Sequence, residues 1–303
     1  MGTKGLLFFV SFLLLISLLV SYWFIPFQNT YFVPANANTN FNTDYSNQSQ
    51  MQFYPNLRFL SSNISYSIEE CPLNKKGEME MAFEIIANKT ILKFYPVYYE
   101  PEIIVTCQST NKFEGDLFIA GEGGPVNITS SGEYNIIHQG AILLIRDSNC
   151  GTPNVAIHEL LHVLGFEHSP NRYNIMYNVS KCGQEIGEDM LGKIKEIYSI
   201  PSYPDIAFTN VSVFMNGRYL NSNFTVRNIG LNYSQESKIK IYADEKLVEE
   251  VNIEKLEVGT GMKINLQNIF VNKLSVKEIT FSIDYPLEEL EKNNNEVILK
   301  IKS

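Results

Sequence analysis

The stretch "HELLHVLGFEH", His158 to His168, holds three of the four histidines in a chain of 303 residues. His158 and His162 stand four residues apart, so on a helix they share one face, one turn apart. Two imidazoles placed like that can reach a single metal ion at roughly 2.0–2.1 Å. Glu159 follows the first histidine and projects to the side of that edge, where it can touch a metal-bound water without ligating the metal. His168 lies beyond Gly165 and would point elsewhere if the helix simply continued. A glycine can adopt φ > 0, end the helix and turn the chain back. His158, His162 and His168 then supply three ligands, which leaves the fourth position of a catalytic zinc site open for water. A bare H-E-x-x-H also arises by chance on buried helices. The specified glycine and third histidine, in a chain this poor in histidine, set this one apart.

The motif is followed by "NIMY", Asn174 to Tyr177. Together they resemble the metzincin zinc peptidases, and most closely their matrixin branch. The resemblance covers about Tyr54 to Ser199. It implies an α+β domain with a twisted sheet above the active-site helix, one catalytic Zn2+ on the three histidines, and Glu159 as general base and acid in peptide hydrolysis. It further implies a peptide substrate lying extended and antiparallel to the edge strand, Met176 as an apolar floor, and Tyr177 as a pocket-lining residue. Pro170–Ile175 and Asn178–Lys181 are expected to shape the primed-side pocket. Two family features are missing. The structural zinc of matrix metalloproteases needs further histidines, and only His138 remains; it reads as a core or cleft-wall residue. No thiol precedes Cys71 to serve as a cysteine switch. The glycine-rich "AGEGGP", Ala120 to Pro125, reads as a bulge near the edge strand with no ligand assigned.

The rest of the chain sets the surroundings. The formal net charge of −9 excludes the basic face that nucleic-acid binding needs. Gly5–Phe24 is an uncharged apolar run, preceded by Lys4 and ending at Tyr22 and Trp23. It is long enough to span a bilayer as a helix, so 1–24 is expected to be a transmembrane signal-anchor. The competing reading is a cleaved signal peptide and a secreted chain. Both send the remainder outside the cytoplasm. The four cysteines form no C-x-x-C pair and suit two disulfides in an oxidising compartment. Four cysteines allow three pairings. Cys150 precedes the active-site helix and Cys182 follows the methionine turn, so metal binding brings these flanks together; Cys150–Cys182 is expected, and Cys71–Cys107 with it.

Residues 25–53, rich in Asn, Ser, Thr and Gln, read as a flexible extracellular tether. Within 54–200, "NISYSI", "EIIVTC" and "YNIIHQGAILLI" read as strands. Met79, Ala82, Phe83 and Ile86 mark a helix, as does "IGEDMLGKIKEIYSI". Asn154, after Pro153, is the expected N-cap of the histidine-bearing helix. Pro201 and Pro204 then mark a linker. Region 201–303 shows about seven short strands and no helical period, the pattern of an all-β immunoglobulin-like sandwich. "TVRNIG" (Thr225–Gly230) and the ending around Ile283–Ile301 resemble the CARDB domain, a cell-adhesion-related sandwich. A cell-surface ligand of this domain is therefore an expected partner. The leading expectation is a membrane-tethered zinc endopeptidase; the alternative is a non-catalytic surface adhesion protein whose sandwich carries the function.

Overall fold

The computed structural model describes residues 4–5, 11–17, 20, 39–41, 51–109, 112–114, 117–147 and 150–301. The chain divides into two compact units, residues 1–37 and 38–303. The second contains both folded regions.

The first region runs β1 (Leu57–Phe59), β2 (Asn63–Glu69), α1 (Leu73–Lys89), β3 (Lys93–Pro96), β4 (Ile103–Cys107), β5 (Lys112–Glu114), β6 (Leu117–Ile119), β7 (Gly121–Ser131), β8 (Tyr134–Leu144), α2 (Asn154–Val163) and α3 (Glu188–Ser199). Its main sheet has the order β1-β8-β4-β2-β3, all parallel, with β7 antiparallel on the other edge of β8. β5 and β6 form a separate antiparallel pair. Among the described residues β7 pairs with β8 alone, so it is an edge strand of the sheet.

Helix α1 buries Met79, Ala82, Phe83 and Ile86, the apolar row its sequence spacing gives. Phe83 stacks on Tyr66 of β2 at 4.2 Å and meets Phe94 of β3 at 4.8 Å. Helix α2 is different: all ten of its residues are buried. A helix with apolar residues all round needs cover on all sides, and Leu160, Leu161 and Val163 share one apolar cluster with the sheet, α1 and α3.

Arg58 on β1 is a buried cation, 1% exposed. Its Nη1 donates to the Ile197 and Ile200 carbonyls at 2.5 and 3.0 Å, and its Nε to the Phe59 carbonyl at 3.0 Å. The guanidinium also lies over the Tyr198 ring at 4.6 Å. It thereby satisfies carbonyls at the C-terminal end of α3, where a cation also complements the helix dipole. Burial lowers the Arg58 pKa and pushes the Tyr198 hydroxyl up to about 12.

The second region has β9 (Ile206–Asn216), β10 (Tyr219–Asn228), β11 (Ser237–Ala243), β12 (Lys246–Ile253), β13 (Gly261–Phe270), β14 (Glu278–Asp284) and β15 (Glu296–Lys300). They form antiparallel sheets of order β13-β10-β9 and β12-β11-β14-β15. Alternate residues of both sheets face one core, centred on edge-to-face contacts of Phe208, Phe224 and Phe281 at 5.2–6.0 Å. The all-β sandwich expected from the strand spacing is the fold observed.

Two expectations for the N-terminal part meet the structure differently. The transmembrane segment 1–24 falls largely outside the described residues; residues 11–17 are helical. No helix among the described residues is long and apolar enough to cross a membrane. The stretch expected to be a flexible tether, 25–53, is docked wherever it is described. Phe41 is fully buried, with its amide on Asp189 Oδ2 at 2.7 Å. The Asn171 amide donates to the Asn40 carbonyl at 2.7 Å. The Phe53 amide bonds Gly165 O, and Met51 O accepts from the Glu167 amide, both at 3.0 Å. Polar composition concealed this because the docking uses backbone groups, which composition does not report.

Candidate metal centre and cleft

The centre begins with how α2 ends. Leu164 is its C-cap, and Gly165 has φ +98°. The Gly165 amide donates to His162 O at 2.9 Å, and the Phe166 amide to Leu161 O at 3.0 Å. This pair of bonds is the Schellman arrangement, which needs a left-handed residue after the cap. A side chain at Gly165 would also lie 2.7 Å from Leu57 Cδ2. The turn sends the chain back and brings His168 beside the two helix histidines. Asn154, expected as the N-cap, is instead the first helical residue, after Pro153, and no side chain caps the helix. Its amide group is engaged elsewhere, donating to Lys181 O at 2.7 Å and accepting from the Thr152 hydroxyl.

The three Nε2 atoms lie 3.0 Å (His158–His162), 3.1 Å (His162–His168) and 3.2 Å (His158–His168) apart. They are the group among the described residues whose donor atoms could hold one metal ion. The tautomers follow from the partners. His158 Nδ1 is 2.7 Å from Ile175 O, and His162 Nδ1 is 2.7 Å from Phe166 O. A carbonyl only accepts, so each Nδ1 carries the proton and each Nε2 presents a lone pair. Nitrogens facing one another at about 3 Å could hold a cation between them. Tetrahedral ligation at roughly 2.0–2.1 Å implies donor separations of about 3.3 Å, close to those found. The carbonyl partners are the outer contacts that fix ring orientation in such sites. Burial lowers the His158 pKa to about 4 and that of His162 to about 3, which keeps both neutral as ligands must be. His168 is exposed.

Glu159 is 6% exposed and is not one of the three converging donors. Burial pushes its carboxyl up to about 8, and the Glu122 charge adds to the shift. Above it runs the near end of β7. A Cβ at Gly121 would sit 2.7 Å from Glu159 Cγ, and one at Gly123 would sit 2.4 Å from the Glu159 carbonyl oxygen. The glycine-rich "AGEGGP", expected as a bulge near the edge strand, is from Gly121 the start of β7 itself, and the register shifts only after Pro125. Its signal was the G-x-G spacing inside a strand: period two puts both glycines on one face, and strand glycines mark close backbone approach. Gly123→Ala should therefore force β7 off α2 and cost about 1–3 kcal/mol in chemical denaturation, as overpacking does. A stability equal to wild type would show that the approach is looser than this.

Met176 is fully buried in the apolar cluster that includes α2. Its amide donates to Asn174 Oδ1 at 2.8 Å and its carbonyl accepts from the Ser169 amide at 2.8 Å. The cleft over the centre has a volume of about 790 Å³. Its walls include Gly121–Gly123, Val155, Phe53 and the segment Asn178–Cys182. Asn178–Lys181 thus line the cleft. Pro170–Ile175 and Tyr177 are not among the wall residues; Asn171, Asn174 and Ile175 are buried in the turn beneath. His138 is half-buried on β8 and also lies apart from the wall. Phe53, from the supposed tether, stacks on His162 at 5.8 Å.

Both expected disulfides are present, Cys71–Cys107 and Cys150–Cys182. Closing loops of 36 and 32 residues stabilises a fold by about 3–4 kcal/mol each in the chain-entropy picture. Cys150–Cys182 lines the cleft itself and joins the segment before α2 to the Asn178–Cys182 wall.

Residues 58–199 match the family model for matrixins and residues 204–298 that for CARDB. A search of curated proteins returned no match. Among solved structures, a CARDB domain from Pyrococcus furiosus, described in complex with di-metal ions, is 15% identical. It covers 33% of this chain and 87% of its own, with a TM-score of 0.29. High choriolytic enzyme 1, a hatching enzyme zinc-protease from the medaka Oryzias latipes, is 21% identical. It covers 36% of this chain and 46% of its own, with a TM-score of 0.23. The chain is thus similar to matrixins over residues 58–199 and to CARDB over residues 204–298.

Proposed function

We propose that the chain is a zinc-dependent endopeptidase acting outside the cytoplasm, with the apolar run Gly5–Phe24 as its anchor. The observation that carries the reading is the histidine cluster: three Nε2 atoms turned toward one another, two of them with lone pairs fixed by carbonyl partners, beside the buried Glu159 and under the edge strand. The matrixin match supports peptide bonds as the substrate, and the two disulfides support an oxidising compartment.

His158, His162 and His168 would hold the ion. Zinc bound there supplies Lewis acidity, polarising a carbonyl and acidifying water. Glu159 takes the proton from the attacking water on its carboxylate and returns it to the leaving amine. Its burial raises its basicity, while a cation beside it acts in the opposite direction; the balance suits a group that must both accept and release a proton near neutrality. The outer edge of β7 offers backbone donors and acceptors to an extended peptide laid along it, which favours unstructured segments over folded ones. The wall at Asn178–Cys182, tied to α2 by Asn154 and by Cys150, shapes the pocket for the residue after the cut.

The experiment is digestion of an unfolded protein by the zinc-loaded chain, with the products read by mass spectrometry. New termini inside the substrate sequence are expected, and a chelator should abolish them. Zinc bound stoichiometrically with no bond cut would transfer the function to the sandwich.

A further inference from the structure

β7 serves two places at once. Its first residues, Gly121–Gly123, roof Glu159. Its last residues meet the CARDB domain. The Ser131 hydroxyl, 1% exposed, donates to Gly230 O at 2.7 Å. A Cβ on Gly132, the next residue, would lie 2.7 Å from the Ile229 carbonyl oxygen. From the other side, a Cβ on Gly259 would lie 2.6 Å from Thr129 Cγ2 and 2.7 Å from Ser130 O. Gly132 and Gly259 both have positive φ, +57° and +73°, so each meets two demands that only glycine satisfies without strain.

The surrounding junction is a small core of its own. Ile136 of β8 and Leu231 and Val258 of the CARDB domain are buried together, bordered by Leu60, Tyr134, Ile200 and Leu290. The loop that receives Ser131 is locked from inside. Asn228, fully buried, accepts from the Gly230 amide at 3.1 Å and donates to Asn232 O at 2.7 Å. The linker is fastened too: Arg58 Nη2 donates to Ser202 Oγ at 3.0 Å, and that hydroxyl bonds Leu60 O.

The middle of β7 is its weak part. The register with β8 shifts between Pro125 and Asn127 and again between Asn127 and Ile128. Pro125 gives no amide to the ladder, and bulges interrupt pairing. An edge strand with one neighbour and a broken ladder frays unless both ends are held. Helix α2 holds one end; the CARDB domain holds the other.

We propose that the CARDB domain is a positioning element of the cleft. By fixing the far end of β7 it keeps the near end in register for an extended substrate. The proposal rests on the reading of the cleft as a peptide site, so the test has one readout that does not depend on cleavage.

The variants are Gly259→Ala and Ser131→Ala, made in the full-length, zinc-loaded chain. Hydrogen exchange of the Gly121–Gly124 amides is the first readout. It should quicken about fivefold in Ser131→Ala, the change that one lost hydrogen bond produces in an opening equilibrium, and more in Gly259→Ala. Kinetics are the second. KM for a peptide long enough to lie along β7 should rise by a similar factor with kcat within about twofold, while a short peptide spanning only the cut keeps its KM. Exchange that quickens only at residues 128–132, with both KM values unchanged, overturns the proposal. So does an equal loss of kcat for both peptides, which marks general destabilisation. If Gly259→Ala does not fold, Ser131→Ala carries both readouts. If the wild-type chain cuts neither peptide, the peptidase reading fails and exchange at Gly121–Gly124 alone decides the coupling.

Discussion

Glu159→Gln should lower kcat on a peptide substrate by at least about 10²–10⁴-fold, or about 3–5 kcal/mol of barrier, while zinc content stays at the wild-type level. Glu159 stands beside the converging histidine nitrogens without being one of them, so its loss takes no ligand from the ion. Glutamine fills the same space under Gly121 and Gly123, so the roof should hold. What disappears is a titratable oxygen beside the cut. Elemental analysis and turnover of a quenched peptide, measured on one preparation, check both halves. A variant with near wild-type turnover would remove Glu159 from the mechanism. One that cannot hold zinc would make it a ligand.

His168→Ala should do the reverse, losing the ion first and activity as a consequence. His158 and His162 are buried on one helix and remain 3.0 Å apart, but two imidazoles leave half of a tetrahedral site to solvent. His168 is exposed and held by the turn at Gly165, so truncating it empties no core. The fold should survive while zinc affinity falls. The stabilisation that a ligand confers at about a thousand times its Kd is roughly 4 kcal/mol. Chelation should therefore lower the melting temperature of the wild-type chain and leave that of His168→Ala almost unmoved. Equal responses to the chelator would show that His168 does not bind the ion.

The two site variants concern what was most legible in the sequence. A four-residue histidine spacing is a statement about one helix face, and a glycine three residues on is a statement about where that helix stops. Both are local, so both could be read from eleven residues. The seven strands of the sandwich were legible for the same reason, since period-two alternation needs only its own segment. The disulfides depended on a longer inference, from Cys150 and Cys182 flanking the histidine helix and the methionine turn, and the expected pairings are the ones observed. What the sequence concealed was backbone-to-backbone contact. Gly121 matters because the Glu159 side chain passes beneath it and Gly123 because the Glu159 backbone does, and Ser131 and Gly259 because two domains meet there. Asn154 has the residue type of a cap but spends its side chain on Lys181. Phe41 and Phe53 have polar neighbours in sequence, yet Phe41 is buried and Phe53 half-buried, which follows from the backbone atoms they find.

Cleavage is expected to depend on one ion at the one histidine cluster. The most direct measurement is a zinc titration of the metal-free chain, with quenched-peptide turnover recorded at each addition and Glu159→Gln and His168→Ala run alongside. Wild-type activity should rise linearly from zero and break sharply at one equivalent of zinc. Glu159→Gln should bind the same equivalent without activity, and His168→Ala should show no break. Full activity in the metal-free chain, or a break at one equivalent in His168→Ala, would contradict it.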